Sequence, residues 1–191
     1  MFKISFYSLI VLFVLGACNS STETSKQESV VKKDSVIAVA GDCQRLLIQA
    51  KRMDSLLLSS EVLDPKLANE AIILFNGFGS NCANDSLAPE FLMKAGQVAQ
   101  AIKNYTKAEE LYKKCATDFP KYKNRAACLF LLARLYDEES MLNNETAAKI
   151  MYSQIVLEYP NTSYASDAKA AVNNMGKTDE QLVHEFLKKN K

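Results

Sequence analysis

The sequence has no tryptophan and only one histidine, His184, among its 191 residues. A catalytic imidazole with histidine partners, or a zinc site built from several histidines, cannot be assembled from that residue alone. We therefore expect His184 to lie on the surface. We also expect that the chain is not an enzyme and has no catalytic residues, metal or cofactor. The formal net charge is only +1, so the chain also lacks the excess of positive charge that binding to nucleic acid requires.

The first 17 residues have the composition of an export signal. An apolar run over residues 4–14 is too short to span a bilayer comfortably, and Leu15-Gly16-Ala17-Cys18 follows it directly. This tetrapeptide closely resembles the bacterial lipobox, whose cysteine is lipidated and becomes the first residue of the mature protein. The resemblance implies a signal peptide over residues 1–17 and a lipid anchor on Cys18. The same resemblance implies the outer membrane, because Asn19 is not the aspartate that retains many such lipoproteins in the inner membrane. The periplasmic face of that membrane is favoured over the cell surface.

The next segment, residues 18–41, is predicted to be a flexible tether. It has few apolar residues and no periodicity, so it cannot bury enough surface to offset the entropy of ordering. The folded domain is then predicted to occupy residues 42–191.

Within residues 42–191 no stretch alternates strictly between apolar and polar residues, as a half-buried strand would. The apolar positions fall instead at helical spacing, which predicts an all-α domain. Helix starts are predicted at Asp42, at Asp64 with Pro65, at Thr106 with Glu109, at Asn144 and at Thr178 with Gln181. Pro120 and Pro160 are predicted to end two helices.

A pattern recurs along these helices with a period of 37 and then 40 residues. Ala71, Ala108 and Ala148 each precede an aromatic residue by four positions, namely Phe75, Tyr112 and Tyr152. The pattern resembles the tetratricopeptide repeat, a helix-turn-helix unit of 34 residues. The middle copy fits without a gap and has Gly96 at the position for a small residue. The third copy needs about three inserted residues near 140–144. The first copy lacks the proline, and Asn76-Gly77-Phe78-Gly79 is predicted to weaken the end of its second helix.

The resemblance implies a short right-handed superhelical stack of antiparallel helix hairpins, with a C-terminal capping helix drawn from residues 163–191. Signal, tether and repeats together are similar to the tetratricopeptide-repeat lipoproteins of Gram-negative, Bacteroidetes-like envelopes, such as BamD-like and YbgF-like proteins. Proteins of that kind imply a non-catalytic adaptor that binds another envelope protein. The chain is shorter than the five-repeat BamD type, so a role in β-barrel insertion does not follow.

The repeat family also implies where a partner would bind. Its groove is lined by four positions of each first helix, which correspond here to Glu90, Met93, Gln97, Gln100, Ala127, Phe130, Arg134 and Asp137. Met93 and Phe130 are the predicted apolar anchors, because an apolar residue in a mostly polar groove is a common hot spot. The alternative is that neighbouring helices or the tether cover both side chains.

Four cysteines follow Cys18, an even number in a chain predicted to be exported. Cys43 and Cys82 fall at one end of the first predicted hairpin. Cys115 and Cys128 lie about equally far from the turn at residues 121–122. The predicted disulfides are therefore Cys43–Cys82 and Cys115–Cys128. The alternative is that these small thiols fill alanine-like core positions.

A second hypothesis for the function is a ligand- or glycan-binding envelope lipoprotein built on the same repeats. The absence of tryptophan counts against it, because sugar-binding platforms favour exposed aromatic rings. We therefore expect a protein partner and the membrane, and no small-molecule substrate.

Overall fold

A computed structural model describes the backbone of residues 24–189 and the side chains of residues 42–178 and 180–188. Over this range the backbone forms eight helices and no strand. They are α1 (Thr24–Ser59), α2 (Pro65–Asn81), α3 (Ala88–Ala101), α4 (Tyr105–Asp118), α5 (Arg125–Asp137), α6 (Glu145–Glu158), α7 (Ser163–Asn174) and α8 (Asp179–Lys189). The predicted all-α fold is confirmed.

The chain divides into two units, Met1–Val39 and Ala40–Lys191. In the first unit the backbone of residues 24–39 is helical, which differs from the flexible tether expected over residues 18–41. The sequence permits a helix here because it has neither glycine nor proline between Thr24 and Ala40. The predicted signal peptide and lipid anchor on Cys18 lie outside the described residues. None of the helices in the described part of the chain is long and apolar enough to cross a membrane.

Three of the predicted helix starts are confirmed. The side chains of Asp64 and Asn144 accept hydrogen bonds from the backbone N–H groups of Leu67 and Ala147. At α8, Thr178 and Gln181 form a reciprocal pair. The Thr178 N–H donates to Gln181 Oε1 over 3.0 Å, and the Gln181 N–H donates to Thr178 Oγ1 over 3.3 Å.

Two predicted helix starts are wrong. Asp42 lies inside α1 and forms an ion pair with Arg45. Thr106 lies in the first turn of α4, and the residue that caps this helix is Asn104, whose side chain accepts from the Lys107 N–H. α4 begins at Tyr105, directly after Asn104 and the left-handed residue Lys103, so Thr106 already lies within the helix.

The weak helix end predicted at residues 76–79 is also wrong, because α2 continues to Asn81. A Cβ atom on Gly79 would lie 2.9 Å from the carbonyl oxygen of Ala88 and would overlap the side chain of Leu92. Gly79 therefore allows α3 to pack closely against α2. The packing compensates for the low helix propensity of glycine.

Consecutive helices pack against each other from α2 to α7. The repeated alanines Ala71, Ala108 and Ala148 are fully buried. The aromatic residues four positions later, Phe75, Tyr112 and Tyr152, are at most 2% exposed. A Cβ atom on Gly96 would overlap the ring of Tyr112, so this glycine admits the ring between α3 and α4. The fold is a helical-repeat stack in which small residues and aromatic rings alternate at the contacts.

The turns between successive hairpins are equivalent at three places. In each, a backbone N–H donates to the carbonyl three residues earlier, and the carbonyl of that donor residue accepts from the N–H three residues later. The donor–acceptor pairs are Asp85–Cys82 and Ala88–Asp85, Tyr122–Phe119 and Arg125–Tyr122, and Thr162–Tyr159 and Ala165–Thr162, at 2.8–3.1 Å. The first copy, which is degenerate in sequence, therefore leads into the second with the same turn as the other two.

The C-terminal end of the stack is covered by α7. Ala165 and Ala168 of α7 are fully buried, and α7 packs against α6 and α5. The apolar residues of α8 contribute less than expected to this cover, since Val183, Phe186 and Leu187 are 57%, 66% and 56% exposed.

Candidate partner-binding groove

The predicted groove positions lie on α3 and α5, the first helices of two successive hairpins. Each helix carries one position that receives a hydrogen bond from the tyrosine of its own hairpin. The hydroxyl of Tyr112 donates to Gln100 Oε1 over 2.9 Å, and that of Tyr152 donates to Asp137 Oδ2 over 3.2 Å. Gln100 and Asp137 are therefore equivalent, and the two hairpins share one register.

The two predicted apolar anchors are half-buried. Met93 packs against the hydrophobic core. The Phe130 ring lies between Tyr152 of α6 and Tyr164 of α7, with centroid distances of 5.7 and 5.5 Å. Neighbouring helices thus cover part of Phe130, as the alternative interpretation expected, and leave part of the ring available.

The polar positions differ in how fully they are engaged. Gln97, Arg134 and Asp137 are exposed, and Arg134 forms an ion pair with Glu138 at 3.2 Å. Both ends of the Gln100 amide make contacts. Its Oε1 accepts from Tyr112, and its Nε2 lies 3.5 Å from the sulfur of Met141. Gln97 and Arg134 are therefore the best-placed polar side chains for a partner.

In the middle of α3, Lys94 links the first two hairpins. Its ammonium group lies 2.6 Å from Asp54 of α1 and 3.4 Å from Glu90. Burial opposes the charged form, but hydrogen bonds to both carboxylates raise the pKa of Lys94. The predicted groove residue Glu90 is thus part of a charge cluster that holds α1 against α3.

Polar contacts of Glu109 and Arg125 connect α4 with α5, and α5 with α6. The Tyr136 hydroxyl and the Lys113 ammonium each donate to Glu109 over 2.6 Å. Burial acts in the opposite direction, but these hydrogen bonds lower the pKa of Glu109. The Arg125 Nε donates to the Ala116 carbonyl over 2.7 Å, and its guanidinium also pairs with Glu158. The groove helices are therefore supported by a fixed polar network.

The cysteines fall into one bonded and one unbonded pair. Cys43 and Cys82 form a disulfide with a Cα–Cα distance of 5.6 Å, which joins α1 to the residue that follows α2. Cys115 and Cys128 are buried free thiols whose sulfur atoms lie 2.8 Å apart. The second predicted disulfide is thus not formed in the structure, although its two sulfurs are in contact.

Two clefts were not predicted. One, of about 580 Å³, lies between the α2–α3 loop and the α4–α5 turn. Its walls include Leu87, Pro89, Phe119 and Tyr122, and Glu90 connects it to the predicted groove. The other, of about 430 Å³, is lined by residues of α4, α5 and α6, including Ile150 and Met151. The first depends on two turns brought together by packing, so no local sequence signal indicates it.

His184 is exposed, as expected, and lies beside Lys177 and Glu185. Among the described residues, no three side chains of histidine, cysteine, aspartate or glutamate converge as metal ligands would.

The comparison with known families agrees with this geometry. Residues 90–122 and 127–162 match the tetratricopeptide repeat family. The two matched segments coincide with the hairpins α3–α4 and α5–α6, which carry the candidate groove. The chain matches no curated protein sequence. Tetratricopeptide repeats generally mediate binding between proteins, and proteins built from them are generally non-catalytic scaffolds.

Proposed function

We propose that this protein is a membrane-tethered, non-catalytic adaptor of the bacterial cell envelope that binds another envelope protein through the groove on α3 and α5. The observation that carries the proposal is the composition of this surface. Half-buried Met93 and Phe130 lie on the same helices as the exposed polar side chains Gln97 and Arg134. An apolar centre with a polar rim is the usual make-up of a protein interface.

The envelope location is supported by two independent features. The lipobox-like segment ending in Cys18 resembles the attachment site of bacterial lipoproteins. The disulfide between Cys43 and Cys82 is of a kind that persists in oxidising compartments such as the periplasm and is rare in the cytosol.

The groove is tested by site-specific photo-crosslinking in intact cells. A photoreactive residue at Gln97 or at Arg134 should crosslink the same partner. A photoreactive residue at Lys149, which is exposed on the second helix α6, is the matched control and should not. A partner captured from Lys149 but from neither groove position would overturn the assignment.

The anchor is tested separately, because its failure would not affect the groove. Cys18→Ser should move the protein from the membrane fraction to the soluble fraction while purified protein keeps its affinity for the identified partner. If the variant stays in the membrane fraction, the lipid anchor is wrong.

The alternative, a ligand-binding lipoprotein, is favoured by one observation only. The cleft of about 580 Å³ presents Phe119 and Tyr122 to solvent beside several charged residues. Binding of oligosaccharides that is abolished by Tyr122→Ala and unaffected by Phe130→Ala would support this function over the adaptor.

A further inference from the structure

On either side of each turn between hairpins, two buried residues that lie 13 positions apart occupy equivalent places. One is on the last turns of a second helix, and the other is on the first helix of the next hairpin. By the equivalence of the three turns, these joint pairs are Phe78 with Phe91, Cys115 with Cys128, and Ile155 with Ala168. All six residues are at most 3% exposed.

The three joint pairs differ in chemistry. The first is an aromatic pair in edge contact, with ring centroids 5.3 Å apart. The third is aliphatic. Apolar side chains therefore occupy this place at the other two turns, and the thiols of the middle pair are not needed to fill space. The middle pair is nevertheless the one whose two side chains can form a covalent bond.

We propose that Cys115 and Cys128 are the site of a second disulfide, which links α4 to α5 and takes a small external disulfide as its oxidant. The sulfurs are already in contact at 2.8 Å, with no intervening group. The bond would fasten the joint between the two hairpins that carry the groove. Formation of this disulfide does not depend on the identity or existence of a partner protein.

The reaction balances as two thiol–disulfide exchanges. One cysteine thiolate attacks the external disulfide RSSR, which forms a mixed disulfide and releases RS⁻. The second cysteine thiolate attacks the sulfur of the first and releases another RS⁻. Two thiols have been oxidised, one external disulfide has been reduced, and the two thiol protons end on the two RSH products.

The surroundings of the pair indicate when this reaction takes place. The Cys128 thiol donates to the Cys115 sulfur, and the Cys115 thiol donates to the Pro89 carbonyl over 3.2 Å. The hydrogen bond to Cys115, together with burial, raises the pKa of the Cys128 thiol. Because thiolate is scarce and the joint is closed in the folded chain, we expect oxidation before the joint closes, during folding.

The experiment refolds the full chain, reduced and denatured, in the presence of oxidised glutathione. Thiols still free are then alkylated after unfolding without reductant, and peptides are mapped by mass spectrometry. We expect a crosslinked peptide that contains Cys115 and Cys128. Alkylation of both residues in the refolded protein would overturn the proposal, because the pair would then be a core contact only.

A matched variant measures the effect of the bond. Cys115→Ile with Cys128→Ala copies the third joint pair and keeps Cys43–Cys82. Refolded with oxidised glutathione, the wild type should melt about 5–10 °C above the variant, as expected for closing a short loop. With reductant present throughout, this difference should disappear. Equal melting temperatures under oxidising conditions would contradict the proposal.

Discussion

At the scale of single residues, Gly96 is packed directly against the aromatic ring of Tyr112. Gly96 leaves no space for a side-chain carbon beside Tyr112, whereas at Gly77, in the neighbouring hairpin, nothing beyond the adjacent backbone of α2 lies within 4 Å of the corresponding position. Both glycines lie inside helices, so they have the same backbone propensity and differ only in what surrounds them.

We expect Gly96→Ala to destabilise the protein by about 1–3 kcal/mol, because the methyl group would displace the ring of Tyr112. Gly77→Ala is the control and should be neutral or stabilising by up to about 1 kcal/mol, because alanine is the better helix former. Urea denaturation of both variants measures the difference. Equal effects at the two positions would show that Tyr112 does not press on Gly96.

The carboxylate of Glu109 makes the stability of the protein depend on pH. Hydrogen bonds from Lys113 and Tyr136 lower its pKa below the usual value of 4.5, despite burial. Its stabilising contribution is therefore complete above pH 4.5 and is lost as the pH falls through the lowered pKa of the folded state.

We expect Glu109→Gln to reduce the free energy of unfolding by about 1 kcal/mol at pH 7. The difference between variant and wild type should shrink as the pH is lowered from about 5 to 3, because the wild-type carboxylate is then protonated. Urea titrations across this range measure it. A difference that stays constant down to pH 3 would contradict the role given to Glu109.

At the scale of helices, the starts of α4 and α6 use the same device. Asn104 and Asn144 each accept a hydrogen bond from the N–H three residues later. The residue before each asparagine has a positive φ, 61° at Lys103 and 46° at Asn143. A residue in the left-handed region therefore turns the chain directly before both caps, although the connection before α4 has three residues and the one before α6 has seven.

We expect Asn104→Ala to cost about 1 kcal/mol, the usual value for removal of an N-cap side chain. Thr106→Ala is the matched control. Thr106 is exposed inside α4, where alanine is the better helix former, so the change should cost nothing or stabilise slightly. Thermal unfolding followed by circular dichroism compares the two. A larger loss for Thr106→Ala would restore the cap predicted from the sequence.

These elements also show what the sequence could predict. Asp64 and Asn144 were recognisable because each directly precedes a run with helical periodicity. Asn104 was missed because the Thr106–Glu109 pattern is as good a local signal, although α4 begins at Tyr105, directly after Asn104. For α1, the polar composition suggested a tether, whereas the backbone is helical from Thr24, in a stretch without glycine or proline between Thr24 and Ala40.

The groove could be predicted as a set of positions but not as a surface. The spacing within the repeats places Met93 and Phe130 on the first helices. The rings of Tyr152 and Tyr164, which partly cover Phe130, come from two later helices. Whether a groove residue is available to a partner depends on such contacts with residues that are distant in the sequence. The cleft between the two turns likewise forms only when residues distant in the sequence pack together.

At the scale of the whole domain, the Cys43–Cys82 disulfide closes a loop that runs from within α1 through all of α2. The first hairpin lies outside the two segments that match the repeat family. The disulfide joins the two helices of this hairpin to each other, and the ion pair of Lys94 with Asp54 links α1 to α3 of the next hairpin.

We expect Cys43→Ala with Cys82→Ala to reduce the free energy of unfolding by about 4 kcal/mol, the chain-entropy value for a loop of this length. Chemical denaturation under non-reducing conditions measures the loss. As a control, reductant should lower the stability of the wild type towards that of the variant. A variant as stable as the oxidised wild type would show that the bond is not formed in the native protein.

The three joint pairs limit how the chain can be lengthened or shortened. Removal of the 37 residues from 86 to 122 would keep the helical register and the turn, but it would place Phe78 opposite Cys128. An aromatic ring would then lose its partner ring and meet a space made for two sulfurs. The hairpins of this protein are therefore not interchangeable modules, and an insertion or deletion of a whole repeat requires a second change at the new junction.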